Sequence, residues 1–252
     1  HIMQIVAQLA MEQPVAFTDA DVRVEKIKAL RSLRLYTPSE AAANFVRGQY
    51  DAGDGTNAYR HEDGVDPESG TETFVAAKLM FDNYRWSGVP FYVRTGKKLA
   101  DKFTRIDVVF KKPLIDIFAN PRSESDQSLN SNVLTIFVEP NSGFAIQLNA
   151  KHAGQGFTTE PVDLRFLQSD SDKKESPEPY ERLFHDALEG NHTNFASWAE
   201  IAYAWKFVDV IRKLWDIEKP QFPNYTPGSM GPAASDELLA RDGRKWVYRL
   251  NH

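Results

Sequence analysis

The chain has 252 residues, 42% of them hydrophobic, enough to fill one large domain or a domain with a small appendage. It has no cysteine, which excludes disulfide frameworks, thiolate metal sites and cysteine nucleophiles and is compatible with a reducing cytoplasm. A net charge of -5 argues against nucleic-acid binding, and no apolar run approaches the ~20 residues of a membrane-spanning helix.

In chain order, Ile2, Met3, Ile5, Val6, Leu9 and Ala10 recur at helical spacing in a segment apolar nearly all round, which predicts a buried first helix ended by Pro14. That amino terminus carries no secretory cleavage pattern. Thr18 with Asp21 reads as the start of a second helix, with Val24, Ile27, Leu30 and Leu33 on its apolar side. The period then changes. Phe74–Phe81, Phe91–Thr95, Ile106–Phe110, Val133–Glu139, Phe144–Lys151 and Val162–Leu167 are strand-like. Phe144, Ile146 and Leu148 alternate with Ala145, Gln147 and Asn149, which predicts antiparallel pairing with one buried face. Pro140-Asn141-Ser142-Gly143 is turn chemistry and predicts a hairpin.

Helix returns at Tyr180–Glu189, stopped by Gly190. Asn194 is the expected cap of a long helix with Trp198, Ile201, Trp205, Val208 and Trp215 along its apolar, core-facing side. Gly228–Pro232 is a turn, Lys245–Leu250 a last strand, and Ser123–Asn132 and Ser169–Glu178 polar loops. The predicted fold class is α+β: a large, mostly antiparallel sheet with helices packed on one face.

Charge is uneven. Asp51–Glu72 is acidic, whereas Arg94–Lys112 is rich in Lys and Arg, a local basic stretch that suits a small anionic ligand. Its densest part runs from Phe91 to Lys102, where a strand meets Gly96 and then presents Arg94, Lys97, Lys98 and Lys102. Lysines beyond a strand end can meet phosphate or hydroxyl oxygens, though an ordinary basic loop has the same spacing. Gly154-Gln155-Gly156 lacks the third glycine and following helix of a dinucleotide fingerprint, and Gly228–Pro232 lacks the Lys-Ser/Thr ending of a P-loop. His61-Glu62-Asp63 with Asp51, Asp54 and Asn57 fits neither the EF-hand pattern nor zinc spacing and reads as a solvated acidic loop. His185 and Asp186 are chain neighbours on a helix and so form no dyad by adjacency. Taken alone, His1 reads as the remnant of a tag.

Several strings share their order with the glucose-6-phosphate dehydrogenase family. They are His1-Ile2-Met3-Gln4 with Leu9–Glu12 and Pro14, Phe45–Tyr50, Trp86 with Gly88–Lys97, Pro177–Leu183, Trp205–Asp209 and Gly228–Pro232. Over nearly its whole length the chain resembles that family's carboxy-terminal substrate and dimerisation domain, covering 1-252. The resemblance implies a parent enzyme that oxidises glucose 6-phosphate at C1 to the lactone, with hydride passing to NADP or, in some bacterial members, to NAD. His1 stands where the family has its general base, ahead of Met-Gln, which favours a native catalytic histidine over a tag. Imidazole titrates near neutral pH, and in the family an aspartate orients it. Lys97 and Lys102 match substrate-binding basic positions, and Glu139 stands where other members use Gln.

The family's amino-terminal nucleotide-binding domain and its Asp-His-Tyr-Leu-Gly-Lys motif are absent from the sequence, so the chain alone is expected to bind no cofactor and to be inactive. Animal members line an additional NADP site with basic and tyrosine side chains. The corresponding positions here are Phe103, Asp107, Phe137, Ala145 and Gln147, so no such site is expected. A cytoplasmic homodimer formed through the sheet is implied. The alternatives are a non-catalytic oligomerisation or sensor module of the same fold and the substrate domain of another sugar oxidoreductase.

Overall fold

The computed structural model describes residues 1–53, 55–115, 129–154, 158–169, 171, 177–218 and 220–247. They divide into two compact units, His1–Ala100 with Glu178–His252, and Asp101–Pro177.

The first unit contains six α-helices: α1 (Ile2–Ala10), α2 (Asp19–Arg31), α3 (Pro38–Asn44), α4 (Pro179–Leu188), α5 (Trp198–Ile217) and α6 (Ala234–Ala240). It also holds a three-stranded antiparallel sheet, β1 (Phe45–Gly48), β2 (Phe74–Leu79) and β3 (Phe91–Gly96), in that spatial order. α3 and α6 pack against β1 and β2. Thr18 caps α2 as expected, its hydroxyl accepting from the Asp21 N–H at 3.2 Å. Gly190 follows α4 with φ +70°, a backbone setting that suits a residue without Cβ.

Four expectations for this unit are corrected. α1 is half-buried, with Val6, Ala7 and Ala10 inside and Gln8 exposed. The inner face of α2 is Val22, Lys26, Ala29 and Leu30, followed by Leu33, while Val24 is 53% exposed. A reading by hydropathy passes over that face because it contains a lysine: the Lys26 ammonium is buried 2.8 Å from Glu200 Oε2 of α5. Ser197, rather than Asn194, caps α5. Its hydroxyl accepts from the Glu200 N–H, and Glu200 Oε1 accepts from the Ser197 N–H at 3.0 Å, a reciprocal capping box. Asn194 instead donates to buried Asp186 at 2.7 Å. Ala204, Phe207, Ile211 and Trp215 form the core side of α5, whereas Trp198 and Trp205 are exposed.

The second unit is a four-stranded antiparallel sheet, β4 (Thr104–Val109), β5 (Val133–Glu139), β6 (Gly143–Lys151) and β7 (Thr159–Leu167), in sequence order. The expected β5–β6 hairpin is present. The α+β class therefore holds, with antiparallel pairing throughout, but the strands form two sheets. Among the described residues no ladder joins β3 to β4, and the chain just after β3 bonds to the 225–229 segment described below.

The register writes two wholly apolar rows across the second sheet, Ile106-Ile136-Phe144-Phe166 and Val108-Leu134-Ile146-Leu164, with Leu148 opposite Val162 beyond them. Phe144, Leu148, Leu164 and Phe166 on this face are exposed, the last two by 61% and 57% respectively. The expected single buried face is present, and the apolar Phe144 side is not it. The buried side is the mixed one, with Val133, Thr135, Phe137 and Ala145. There Arg105 lies over Phe103 and pairs with Asp107 at 3.0 Å, Thr135 donates to Asp107 at 2.7 Å, and Arg165 lies over Phe137. Among the described residues, guanidinium planes and their partners lie on that face.

Parts of four other expectations lie outside the described residues: residues 155 and 156 of the Gly-x-Gly, residues 123–128 and most of 170–176 in the two polar loops, Asp54 of the acidic loop, and residues 248–250 of the last strand. Lys245–Val247, which are described, form no strand.

Candidate functional site

The last residue of β3, Gly96, is a glycine for a packing reason. A Cβ at Gly96 would stand 2.7 Å from Phe74 Cδ2, and one at Gly231 would stand 2.3 Å from Phe74 Cε2. Gly48 is also tight, since its Cβ would meet the Phe74 Cβ at 3.2 Å. The Phe74 ring, 1% exposed, thus fills the space that side chains on Gly96 and Gly231 would need. The two glycine-bearing strings that stand out in the sequence, Gly96-Lys97 and Gly228–Pro232, meet around one aromatic residue.

Past Gly96 the backbone is pinned residue by residue. The Lys97 N–H donates to the Thr73 carbonyl at 2.8 Å, and the Lys97 carbonyl accepts from the Tyr225 hydroxyl at 2.9 Å. Lys98 has φ +53°, the left-handed setting, and its carbonyl accepts from the Gly228 N–H at 2.9 Å. The Ala100 N–H donates to the Ser229 carbonyl at 2.9 Å. The side chains of Lys97 and Lys98 are exposed, and neither has an ion-pair partner among the described residues. Two ammonium groups on a turn held by main-chain hydrogen bonds, with no carboxylate pairing them among the described residues, have the chemistry to receive an anion. Arg94 belongs elsewhere: its guanidinium stacks 4.4 Å from the Trp246 ring centroid.

His1 is the exposed N-cap of α1. Its carbonyl accepts from the Gln4 N–H at 3.0 Å, and its side chain makes no capping bond. α1 is fixed at its other end by the Trp86 indole, which donates to the Ala10 carbonyl at 2.9 Å. Ile2 and Met3 pack against the same apolar cluster as Phe91 and Val93 of β3. His1 and Lys97 therefore begin and follow elements that share one core, and among the described residues no carboxylate pairs with His1.

Lys102 and Glu139 belong to the second unit. Glu139 ends β5 opposite Thr104, and Lys102 precedes Thr104 by two residues, so both stand at one end of the β4–β5 pair, and both are exposed. Among the described residues no group of three or more His, Asp or Glu side chains could hold a metal. The acidic segment is partly structural: Glu62 accepts from the Tyr50 hydroxyl at 3.1 Å, and Glu72 pairs with Arg212 at 2.6 Å. The N–H groups of Gly228, Ser229 and Gly231 are already bonded to Lys98, Thr226 and the Ser229 hydroxyl, so this turn offers no cradle for a pyrophosphate.

Sequence reasoning missed Tyr225 and Thr73. Neither sits in a recognisable string, and their roles depend on partners 128 and 24 residues away, the latter being the arithmetic distance from Thr73 to Lys97. Tyr225 is 6% exposed, and burial raises its phenol above the usual tyrosine range, so it is a hydrogen-bond donor at neutral pH.

The family described as "Glucose-6-phosphate dehydrogenase, C-terminal domain" matches residues 1–247. Glucose-6-phosphate 1-dehydrogenase of Bacillus subtilis (strain 168) is 48% identical over 250 residues, covering 98% of this chain and 50% of that protein. The Leuconostoc mesenteroides enzyme of the same name is 45% identical over 251 residues, covering 99% and 50%. Among solved structures, the Mycobacterium avium glucose-6-phosphate 1-dehydrogenase aligns with a TM-score of 0.79 at 29% identity, over 99% of this chain and 49% of that one. A glucose-6-phosphate dehydrogenase in complex with its substrate glucose-6-phosphate aligns with a TM-score of 0.82 at 28% identity, over 98% and 50%. The chain spans about half the length of the relatives it matches.

Proposed function

Since the chain belongs to the glucose-6-phosphate dehydrogenase family, as its C-terminal domain, we propose that it supplies sugar-site residues to an enzyme that oxidises glucose 6-phosphate to 6-phosphogluconolactone. The observation that supports this most directly within the chain is the pinned turn at Lys97, whose ammonium has a fixed base and no internal partner among the described residues. Such a group binds a phosphate or hydroxyl oxygen without first breaking an ion pair. Lys102 is assigned a second contact to the sugar phosphate, and Glu139 a contact to a sugar hydroxyl.

His1 is assigned the general base. Its imidazole accepts the proton of the C1 hydroxyl as the C1 hydrogen departs with its electron pair. NADP, or NAD, would supply the acceptor for that hydride when bound in the parent enzyme. The N–H groups of Gly228, Ser229 and Gly231 in the glycine turn are already bonded and offer a dinucleotide no cradle, and we assign that cofactor to the half of the relatives that this sequence does not span. The isolated chain is accordingly inactive, and the parent enzyme is cytoplasmic and works in the pentose phosphate pathway.

The parent is proposed to be a homodimer joined through the second sheet. The support is the apolar face carrying Phe144, Leu164 and Phe166, because a patch of that kind left in water favours a partner surface. No helix among the described residues is long and apolar enough to cross a membrane.

The deciding experiment is His1→Asn in the full-length enzyme. Turnover should fall by about a hundredfold or more with glucose 6-phosphate binding retained, the signature of a lost general base. Turnover near wild type would remove His1 from the chemistry. Clear sugar-dependent NADPH formation by the 252-residue chain alone would refute the inactivity of the isolated domain.

A further inference from the structure

Lys97 can act as a rigid contact only if its own main chain is held, and the hydrogen bonds that hold it form a directed chain. The Tyr50 N–H donates to Thr73 Oγ1 at 3.1 Å. Thr73 Oγ1 and Tyr225 Oη are 2.9 Å apart, and Tyr225 Oη is 2.9 Å from the Lys97 carbonyl. A second carbonyl, that of Thr73, lies 3.3 Å from the same hydroxyl. The phenol has one proton, and the shorter contact takes it. Tyr225 therefore donates to Lys97, which leaves Tyr225 Oη as an acceptor for the Thr73 hydroxyl, which in turn accepts from Tyr50. Each donor and acceptor in the series is used once, in one direction, so each bond polarises the next.

The chain is well anchored. Tyr225 is buried, its ring meets those of Tyr50 and Phe74, and its carbonyl accepts from the Asp51 N–H at 2.9 Å. Thr73 is fixed by its own N–H, which donates to the Gly48 carbonyl at 2.7 Å. One side chain thus joins the 225–229 segment to the residue whose ammonium the proposed sugar site uses. It does so one residue before the left-handed turn at Lys98, where a small shift in the main chain would redirect the Lys97 side chain.

We infer that Tyr225 is a positioning residue for sugar-phosphate binding, acting through the carbonyl of Lys97 and oriented by Thr73. The inference rests on the assignment of Lys97 to the substrate. Tyr225 itself touches no substrate and takes no part in proton or hydride transfer. Its loss leaves the Lys97 carbonyl and the Thr73 hydroxyl without their partner, so the turn loosens while the core around Phe74 keeps its shape.

The test uses the full-length enzyme and steady-state kinetics, varying glucose 6-phosphate and the dinucleotide separately. Tyr225→Phe should raise the KM for glucose 6-phosphate about tenfold, the worth of one buried hydrogen bond with an orphaned partner. The kcat and the dinucleotide KM should stay within about twofold, because a change confined to substrate positioning leaves them alone. Lys97→Ala should raise the same KM at least as much, and in that background Tyr225→Phe should add less than about twofold, as expected of two residues acting as one unit.

If Lys97→Ala raises KM and Tyr225→Phe does not, the inference is overturned and the assignment of Lys97 stands. If Lys97→Ala has no effect on KM, the assignment of Lys97 fails and takes the inference with it. Equal effects of Tyr225→Phe in both backgrounds also overturn it, because Tyr225 would then act elsewhere. Should Tyr225→Phe fold poorly, Thr73→Val breaks the same chain one link earlier. It should raise the KM about threefold, in line with a weaker, indirect loss, and an unchanged KM in that variant would overturn the inference.

Discussion

The packing of Phe74 against glycines distant in sequence makes a quantitative prediction. Phe74→Ala removes a ring that is 1% exposed and should cost about 3–5 kcal/mol. Gly96→Ala places a Cβ 2.7 Å from that ring without any unusual φ, so its cost is overpacking alone, about 1–3 kcal/mol. Gly231→Ala adds a methyl 2.3 Å from the ring at φ +105° and should cost more, because about 1–3 kcal/mol of backbone strain is added to the collision. The combinations separate these causes. In the Phe74→Ala background Gly96→Ala should be neutral, or stabilising by about 0.4–1 kcal/mol through the unfolded chain. Gly231→Ala should keep its backbone strain and lose only the collision. Urea unfolding followed by tryptophan fluorescence is the assay, since Trp86, Trp198, Trp205, Trp215 and Trp246 all lie in the unit that contains Phe74. Additive costs of Phe74→Ala and Gly96→Ala, within about 0.5 kcal/mol, would refute the packing argument.

Lys26→Met should destabilise the first unit by about 3–5 kcal/mol, because it leaves the Glu200 carboxylate buried without its cation, and adding Glu200→Gln should restore part of the loss in the same urea assay. Asp242 is held below the usual carboxylate range first by Lys78, 2.6 Å away, and then by the Tyr92 hydroxyl. A depressed folded value means stabilisation that is complete above the unfolded value of 3.8 and is lost as pH falls through the folded one. Asp242→Asn should therefore cost about 1 kcal/mol at neutral pH, with the gap to wild type closing under acid, and a pH-independent gap would contradict it. Leu164→Glu puts a charge in the middle of an exposed apolar row and should weaken self-association about a hundredfold or more, measured by sedimentation equilibrium. An unchanged mass distribution would remove this face from the dimer.

Much of this protein was legible in its residues. Period-two alternation located every strand of the second sheet to within a few residues, because alternation is a local consequence of the pleat. Thr18 with Asp21 marked the start of α2, and Gly190 the end of α4, for equally local reasons. The order of short strings identified the family. What local pattern could not decide was which surface each pattern meets. The Phe144 row has the composition of a buried face, yet within this chain it is exposed, and the mixed side that carries Thr135 and Ala145 is the buried one. The Trp198 stripe of α5 looks like core, and the true inner side is centred on Phe207 and Ile211 with Glu200 beside them.

The candidate site divides along the same line. The resemblance to the family's strings singled out His1, Lys97, Lys102 and Glu139, which by residue type and spacing alone had ordinary readings. The rigidity of Lys97 belongs to the tertiary structure. Gly48, Gly96 and Gly231 close on one phenylalanine, and Tyr225 reaches the Lys97 carbonyl from 128 residues away. Hydrogen bonds and steric exclusion act over a few ångströms in space, and no period or motif records which distant residues the fold will bring within that range.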